Sequence, residues 1–182
     1  MYFAFYYLAA FDRTQLDPRM GYLDSFNLLL VVNGVGYIGR MTPNLFADKD
    51  MGPLTLMVPF VMVTGVCLLV WIAVTSAGGL YVWAVVYGIA AGGVQSLFPP
   101  SLAKLTADVS KTGIRMGMIC TTNSLATLTG PPIAGAIIRV AGPIYTGAQA
   151  FAGASLVLGS AFFAASRYCA LRKLGLGWRA SM

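Results

Sequence analysis

The side chains best suited to chemistry in this sequence are few, and most are uncharged. Its 182 residues contain no histidine and only six acidic residues, all aspartates. Acid–base catalysis and metal ligation draw heavily on histidine and glutamate, so no cofactor, no metal and no enzymatic role is expected. Cys67, Cys120 and Cys169 are far apart and lie in or beside apolar stretches. That pattern favours small buried apolar residues over a disulfide framework or a metal cluster. What remains is a sparse set of neutral hydrogen-bonding groups at helical spacing. Asn33, Tyr37 and Arg40 fall at i, i+4 and i+7; Tyr87 and Gln95 are eight apart; Asn123 and Thr127 are four apart, within the polar run Thr121, Thr122, Asn123, Ser124. Each set shares one helical face. Such groups suit hydrogen bonding to a solute or to a neighbouring helix more than making or breaking bonds.

One motif points towards an enzyme instead. Gly34, Gly36 and Gly39 form G-x-G-x-x-G after the β-branched run ending at Val32, as in a dinucleotide-binding turn. That turn also needs a helix opening at the glycines, a second strand, and an acidic residue about 20 positions on. Pro43 follows within four residues, and the nearby acids are Asp48 and Asp50. A membrane-bound oxidoreductase that binds a nicotinamide nucleotide is therefore a minor alternative. Glycines for close helix packing are preferred.

The elements that must carry these groups follow from composition. The chain is 58% apolar and 10% charged, against about 25% charged in soluble domains, so lipid is its main solvent. Five apolar runs approach the ~20 residues a helix needs to cross a bilayer: residues 26–39 (extended outward by Tyr22 and Leu23), 54–74, 80–97, 116–140 and 144–165. Each is expected to be helical, because an unpaired amide in lipid costs several kcal/mol. Residues 1–11 are aromatic and apolar, too short to span, and lack the basic start of a signal peptide. They are read as the outer end of a truncated helix, and the sequence as part of a longer chain.

Basic residues orient the spans, since they favour the cytoplasmic side of short loops. Arg40, Lys49, Lys104, Lys111, Arg115, Arg167, Arg172, Lys173 and Arg179 fall in one set of alternate loops; Arg13, Arg19 and Arg139 fall in the other. Loops 41–53 and 98–115 and a basic tail, 167–182, are thus expected in the cytoplasm. The net charge of +6 is scattered between apolar stretches, which argues against nucleic acid. Gly88 and Gly92, and Gly113 and Gly117, are two further pairs at the spacing that lets helices approach closely.

Two longer motifs are more specific. Gly39, Arg40, Pro43, Ala47, Asp48 and Lys49 stand at the cytoplasmic junction of the first two complete spans. This pattern resembles the gating loop of the major facilitator superfamily, although Gly52 falls one residue late and Pro53 replaces a basic residue. Gly113-Ile-Arg115-Met-Gly117-Met, leading into Gly130-Pro131-Pro132-Ile-Ala-Gly135-Ala, resembles the eleventh helix of the fungal monocarboxylate-transporter-like branch. The resemblance covers nearly the whole chain. It implies an all-α membrane fold, the C-terminal six-helix half of a major facilitator, with residues 1–11 ending helix seven and residues 12–166 forming a five-helix bundle.

The resemblance further implies a secondary transporter that moves a small organic anion or metabolite by alternating access, with an N-terminal half as partner and protons as the driving ion suggested by fungal relatives. Arg40, Asp48 and Arg115 would gate, with Asp48 the latch acceptor. Gly130, Pro131, Pro132 and Gly135 would form a bend in a helix that rocks. Because helices seven, eight, ten and eleven border the cavity in that family, Asn33, Tyr37, Tyr87, Gln95, Asn123 and Thr127 are expected to meet around the substrate. In animal carriers an aspartate four residues before the arginine matching Arg40 takes part in proton coupling, and here that position is Gly36. The expected location is a multi-pass protein of the plasma membrane, or alternatively a vacuolar or other internal membrane. A non-transporting membrane fragment is the remaining alternative.

Overall fold

A computed structural model describes residues 2–15, 21–46, 52–104, 106, 109–140 and 145–174. Six α-helices account for nearly all of them: α1 (Tyr2–Gln15), α2 (Tyr22–Phe46), α3 (Pro53–Val70, continued by a 3₁₀ turn, Trp71–Ala73), α4 (Ala77–Lys104), α5 (Thr112–Val140) and α6 (Thr146–Leu174). No strand occurs among the described residues.

Local chemistry sets several of the helix starts. The backbone N–H of Gly21 bonds to the Asp24 carboxylate at 3.3 Å, and Asp24 lies in the first turn of α2, where the helix dipole favours negative charge. Gly52 caps α3 at φ 69°, a left-handed conformation that glycine adopts without penalty. Pro53 follows at the first helical position, where its missing N–H costs nothing. Ser76 caps α4, its hydroxyl accepting from the Gly79 N–H at 3.2 Å.

The helices run further than the apolar runs suggested. Loop 41–53 was expected to begin after Arg40, yet α2 continues through Pro43 to Phe46. Loop 98–115 was expected after Leu97, yet α4 continues through Pro99 and Pro100 to Lys104 and α5 begins at Thr112. The first part of the expected tail, 167–174, belongs to α6, and Arg167 is only 8% exposed. Proline ends helices in water, but near lipid a broken helix leaves amides unsatisfied, so the chain keeps its helical bonds past the ring.

Three of the helices are long and apolar enough to cross a membrane: α3 with its 3₁₀ turn, α4, and α6 over Thr146–Cys169. The other two expected spans, α2 and α5, reach 25 and 29 residues but interrupt their apolar sequence with polar residues. Met62, Val63, Val66 and Val70 on α3, Val82 and Val86 on α4 and Phe162 on α6 are all exposed. Helices apolar on their outer as well as their inner faces belong in lipid.

Two helix pairs form the frame. Val32 and Gly36 of α2 lie beside Gly88 and Gly92 of α4, so these helices run parallel. Leu69 and Gly65 of α3 lie beside Gly153 and Val157 of α6, so these run antiparallel. Contact between α3 and α4 joins the pairs, whereas α1 and α5 attach more lightly at the edges. An aromatic cluster fills one end: Trp71 stacks on Trp83 at 4.6 Å between centroids, Trp83 on Tyr87 at 4.8 Å, and Phe11 meets both Trp71 and Tyr145 edge-on. The Trp83 indole N–H donates to the Cys67 carbonyl at 2.7 Å, satisfying a buried donor that would otherwise cost about 1–3 kcal/mol. Met57, Val61, Val94 and Leu97 form a smaller core towards the other end.

Candidate functional site

The α2–α4 seam decides what the glycine triplet does. Gly34, Gly36 and Gly39 all lie inside helix α2, preceded by helix and not by strand. Their amides are therefore engaged with carbonyls four residues back, and no open turn is left to cradle a phosphate. A Cβ on Gly39 would come within 2.5 Å of the Ile89 carbonyl, and one on Gly92 would collide with the Gly36 carbonyl. Gly36 itself faces the backbone of Gly88. The glycine triplet thus lends the nucleotide alternative no support, and close packing accounts for Gly36 and Gly39; Gly34 faces open space.

Polar residues on this pair behave unevenly. The Arg40 guanidinium donates to the Gln95 side-chain oxygen at 2.9 Å, joining two side chains 55 residues apart in sequence. Asn33 spends its amide N–H on the Leu29 carbonyl at 2.9 Å within α2, and Tyr37 is exposed. Tyr87 departs from expectation: it is fully buried and stacked on Trp83, part of the aromatic core and not of a cavity wall. Its position two turns before Gln95 puts it on the same face, but that face is covered at one end and open at the other.

A second polar region lies between α1 and α5. Tyr6, Cys120, Asn123, Ser124, Thr127 and Leu128 line an open groove of about 450 Å³. Asn123 and Thr127 were expected at the site; Tyr6, Cys120, Ser124 and Leu128 were not. Ser124 lay within the polar run, and Tyr6 in the aromatic opening, so both carried a signal. Cys120 carried none, and it is exposed together with Cys169, whereas Cys67 is buried as expected. The six sequence-selected residues thus do not converge: Asn123 and Thr127 share the α1–α5 groove, while Arg40 meets Gln95 on α2 and α4.

Hydrogen-bond geometry defines what the groove offers. The Ser124 hydroxyl donates to the Thr121 carbonyl at 2.7 Å, and the Thr127 hydroxyl to the Asn123 carbonyl at 2.8 Å. Thr121, Thr122 and Thr129 bond back into α5 in the same way. Asn123 is exposed, and its side-chain amide has no partner among the described residues. Along α5, Ala134 is the buried residue, so most of this 29-residue helix presents an uncovered, partly polar surface. Polar groups on a membrane-length helix more often face a cavity than lipid.

The proline pair ties α5 to α1. Tyr7 donates its phenol to the Pro131 carbonyl at 2.9 Å. Gly135, one turn further on, leaves room for it, since a Cβ there would come within 2.8 Å of the Tyr7 oxygen. Gly130 faces open space, as do Gly113 and Gly117, where close packing was expected. Arg115 is exposed near the start of α5; Asp48, the expected latch acceptor, lies outside the described residues. Another buried polar group was missed in the sequence: Gln149 on α6 is 1% exposed with both amide atoms unpartnered. It lies on a different helix from the groove. Among the described residues, no cluster of three or more acidic, cysteine or histidine side chains is placed to hold a metal.

No family model matches the chain. Individual relatives do. An MFS-type transporter of Gibberella zeae is 47% identical over 167 residues, covering 92% of this chain and 38% of the relative. The agnestins efflux protein of Paecilomyces divaricatus is 35% identical over 143 residues, 79% of this chain and 32% of that protein. The aspyridones efflux protein of Emericella nidulans is 28% identical over 155 residues, 85% of this chain and 31% of its own length. The chain therefore spans about a third of the length of the curated relatives it matches.

Proposed function

This chain belongs to the major facilitator superfamily of integral membrane transporters, and from that premise we propose that it forms the C-terminal six-helix half of a secondary carrier that works by alternating access. Its partner is an N-terminal half, and its substrate a small organic anion or other metabolite held near the bilayer midplane. The observation that carries this reading is the α1–α5 groove, where the unpartnered Asn123 amide and the Ser124 and Thr127 oxygens line a cavity of about 450 Å³. Two relatives are named as efflux proteins, which favours export across the plasma membrane. The length of the match fits a half-transporter.

Within this proposal α2 and α4 form the stiff wall. Arg40 and Gln95 act as a clasp between them near the cytoplasmic end, and Arg40 exchanges Gln95 for Asp48 as the gate closes. Pro131 and Pro132 give α5 the freedom to bend, with Tyr7 coupling that movement to α1. Coupling to protons takes a route other than the aspartate of animal carriers, because Gly36 stands in its place against the backbone of α4.

The test is solute movement in vesicles. A transporter carrying this chain as its C-terminal half should lose much of its transport rate on Asn123→Ala and less on Gln95→Ala, while the 182-residue chain alone should move nothing. Unchanged kinetics in both variants would overturn the assignment of this site.

A further inference from the structure

We propose that the α1–α5 groove selects uncharged aromatic solutes bearing hydroxyl donors, and not carboxylates. This rests on the reading of the groove as facing the solute, and it narrows the substrate class left open above.

The argument is one of donors and acceptors. No charged side chain is among the described residues that line the groove. Moving a carboxylate from water into such a site without a cation or several donors is costly. The two hydroxyls at its wall have already committed their protons to carbonyls of their own helix, at 2.7 Å and 2.8 Å. What they turn towards the groove is lone pairs. A carboxylate would meet oxygen against oxygen there, whereas a phenol or alcohol would donate into both. Asn123 supplies the complementary chemistry: its amide N–H₂ can donate to a carbonyl or ether oxygen while its own oxygen accepts. The Tyr6 ring, 63% exposed at the groove, offers a face for offset stacking with an aromatic solute, and Leu128 closes the wall with apolar surface. A volume of about 450 Å³ falls within the usual range for small-molecule sites. Arg40 is engaged with Gln95 on α2 and α4, away from this groove.

Cys120 supplies the reporter, since it lines the groove and is exposed while Cys67 is buried. The experiment takes the 182-residue chain with Cys169→Ala in lipid nanodiscs and measures the alkylation rate of Cys120 by mass spectrometry. Three probes are compared: resorcinol, its dimethyl ether, and dihydroxybenzoate. The expected result is that resorcinol slows alkylation several-fold in a saturable way, with little effect from the ether or the benzoate and with Cys67 unlabelled throughout. Asn123→Ala should reduce the protection. Equal protection by dihydroxybenzoate would overturn the exclusion of anions, and equal protection by the ether would overturn the need for a donor; both would leave the groove standing as a solute site. Protection by none of the three would overturn this inference and the placement of the site together.

Discussion

The pairs Gly88 with Gly92 and Gly113 with Gly117 have the same spacing and opposite fates. On α4 a side chain at Gly92 would strike the backbone of α2, and one at Gly88 would come within 2.8 Å of the Val32 carbonyl. On α5 nothing lies within 4 Å of Gly113 or Gly117. The first pair belongs to a helix that buries a dozen residues, among them Ala90, Ala91 and Gly93, which flatten its surface. The second is flanked by exposed Ile114 and Met118. Association in lipid gains little from hiding apolar surface and depends on shape and direct contact. A glycine pair therefore packs only where its neighbours are also small. The difference divides the molecule into a tightly fitted frame, α2 with α4 and α3 with α6, and a lightly held α5 that carries the groove.

The largest effect that would test this division is at the seam. Gly92→Val should destabilise the protein by about 3 kcal/mol or more, because the clash is with backbone and cannot be relieved by a rotamer change. The matched change Gly117→Val should stay within about 0.5 kcal/mol. Thermal unfolding in detergent reads both, and equal losses would break the comparison. Next in size, Trp83→Phe removes the buried donor to the Cys67 carbonyl and leaves a smaller ring between Trp71 and Tyr87. A loss of about 1–3 kcal/mol is expected from the lost hydrogen bond and the reduced ring contact, the Cys67 carbonyl still accepting from the Trp71 N–H, read by the same melt. The smallest change is Tyr7→Phe, which deletes one partly buried hydrogen bond to Pro131 worth about 1 kcal/mol. Its expected mark is faster amide exchange around Gly130 and Gly135, with the α2–α4 seam unaltered. Equal loosening of both regions would mean that α5 is not a separately held element.

Much of this was legible in the chain. The apolar runs named the helices in order, because a backbone in lipid has few other ways to satisfy its amides. Helix ends differ at Pro43 and at Pro99 and Pro100, since the helical bonds continue past the end of the apolar run. The polar face of α5 was visible as four consecutive polar residues, Thr121 to Ser124. Tyr87 was misplaced because periodicity shows which residues share a face and not how much of that face a neighbour covers. Tyr6 and Cys120 joined the groove only when α1 and α5 came together.

By itself, the amino-acid order determined the solvent and the class of fold: its long apolar runs and scarcity of charge leave helices in a bilayer as the stable solution. It also determined the available chemistry, neutral hydrogen bonding with few titratable groups. Tertiary structure alone decided which glycines meet a backbone, which aromatic rings are core, and which polar groups keep a free donor or acceptor facing the groove. Those outcomes depend on contacts between helices far apart in sequence, whose van der Waals and hydrogen-bond energies change steeply over an ångström and leave no trace in local spacing.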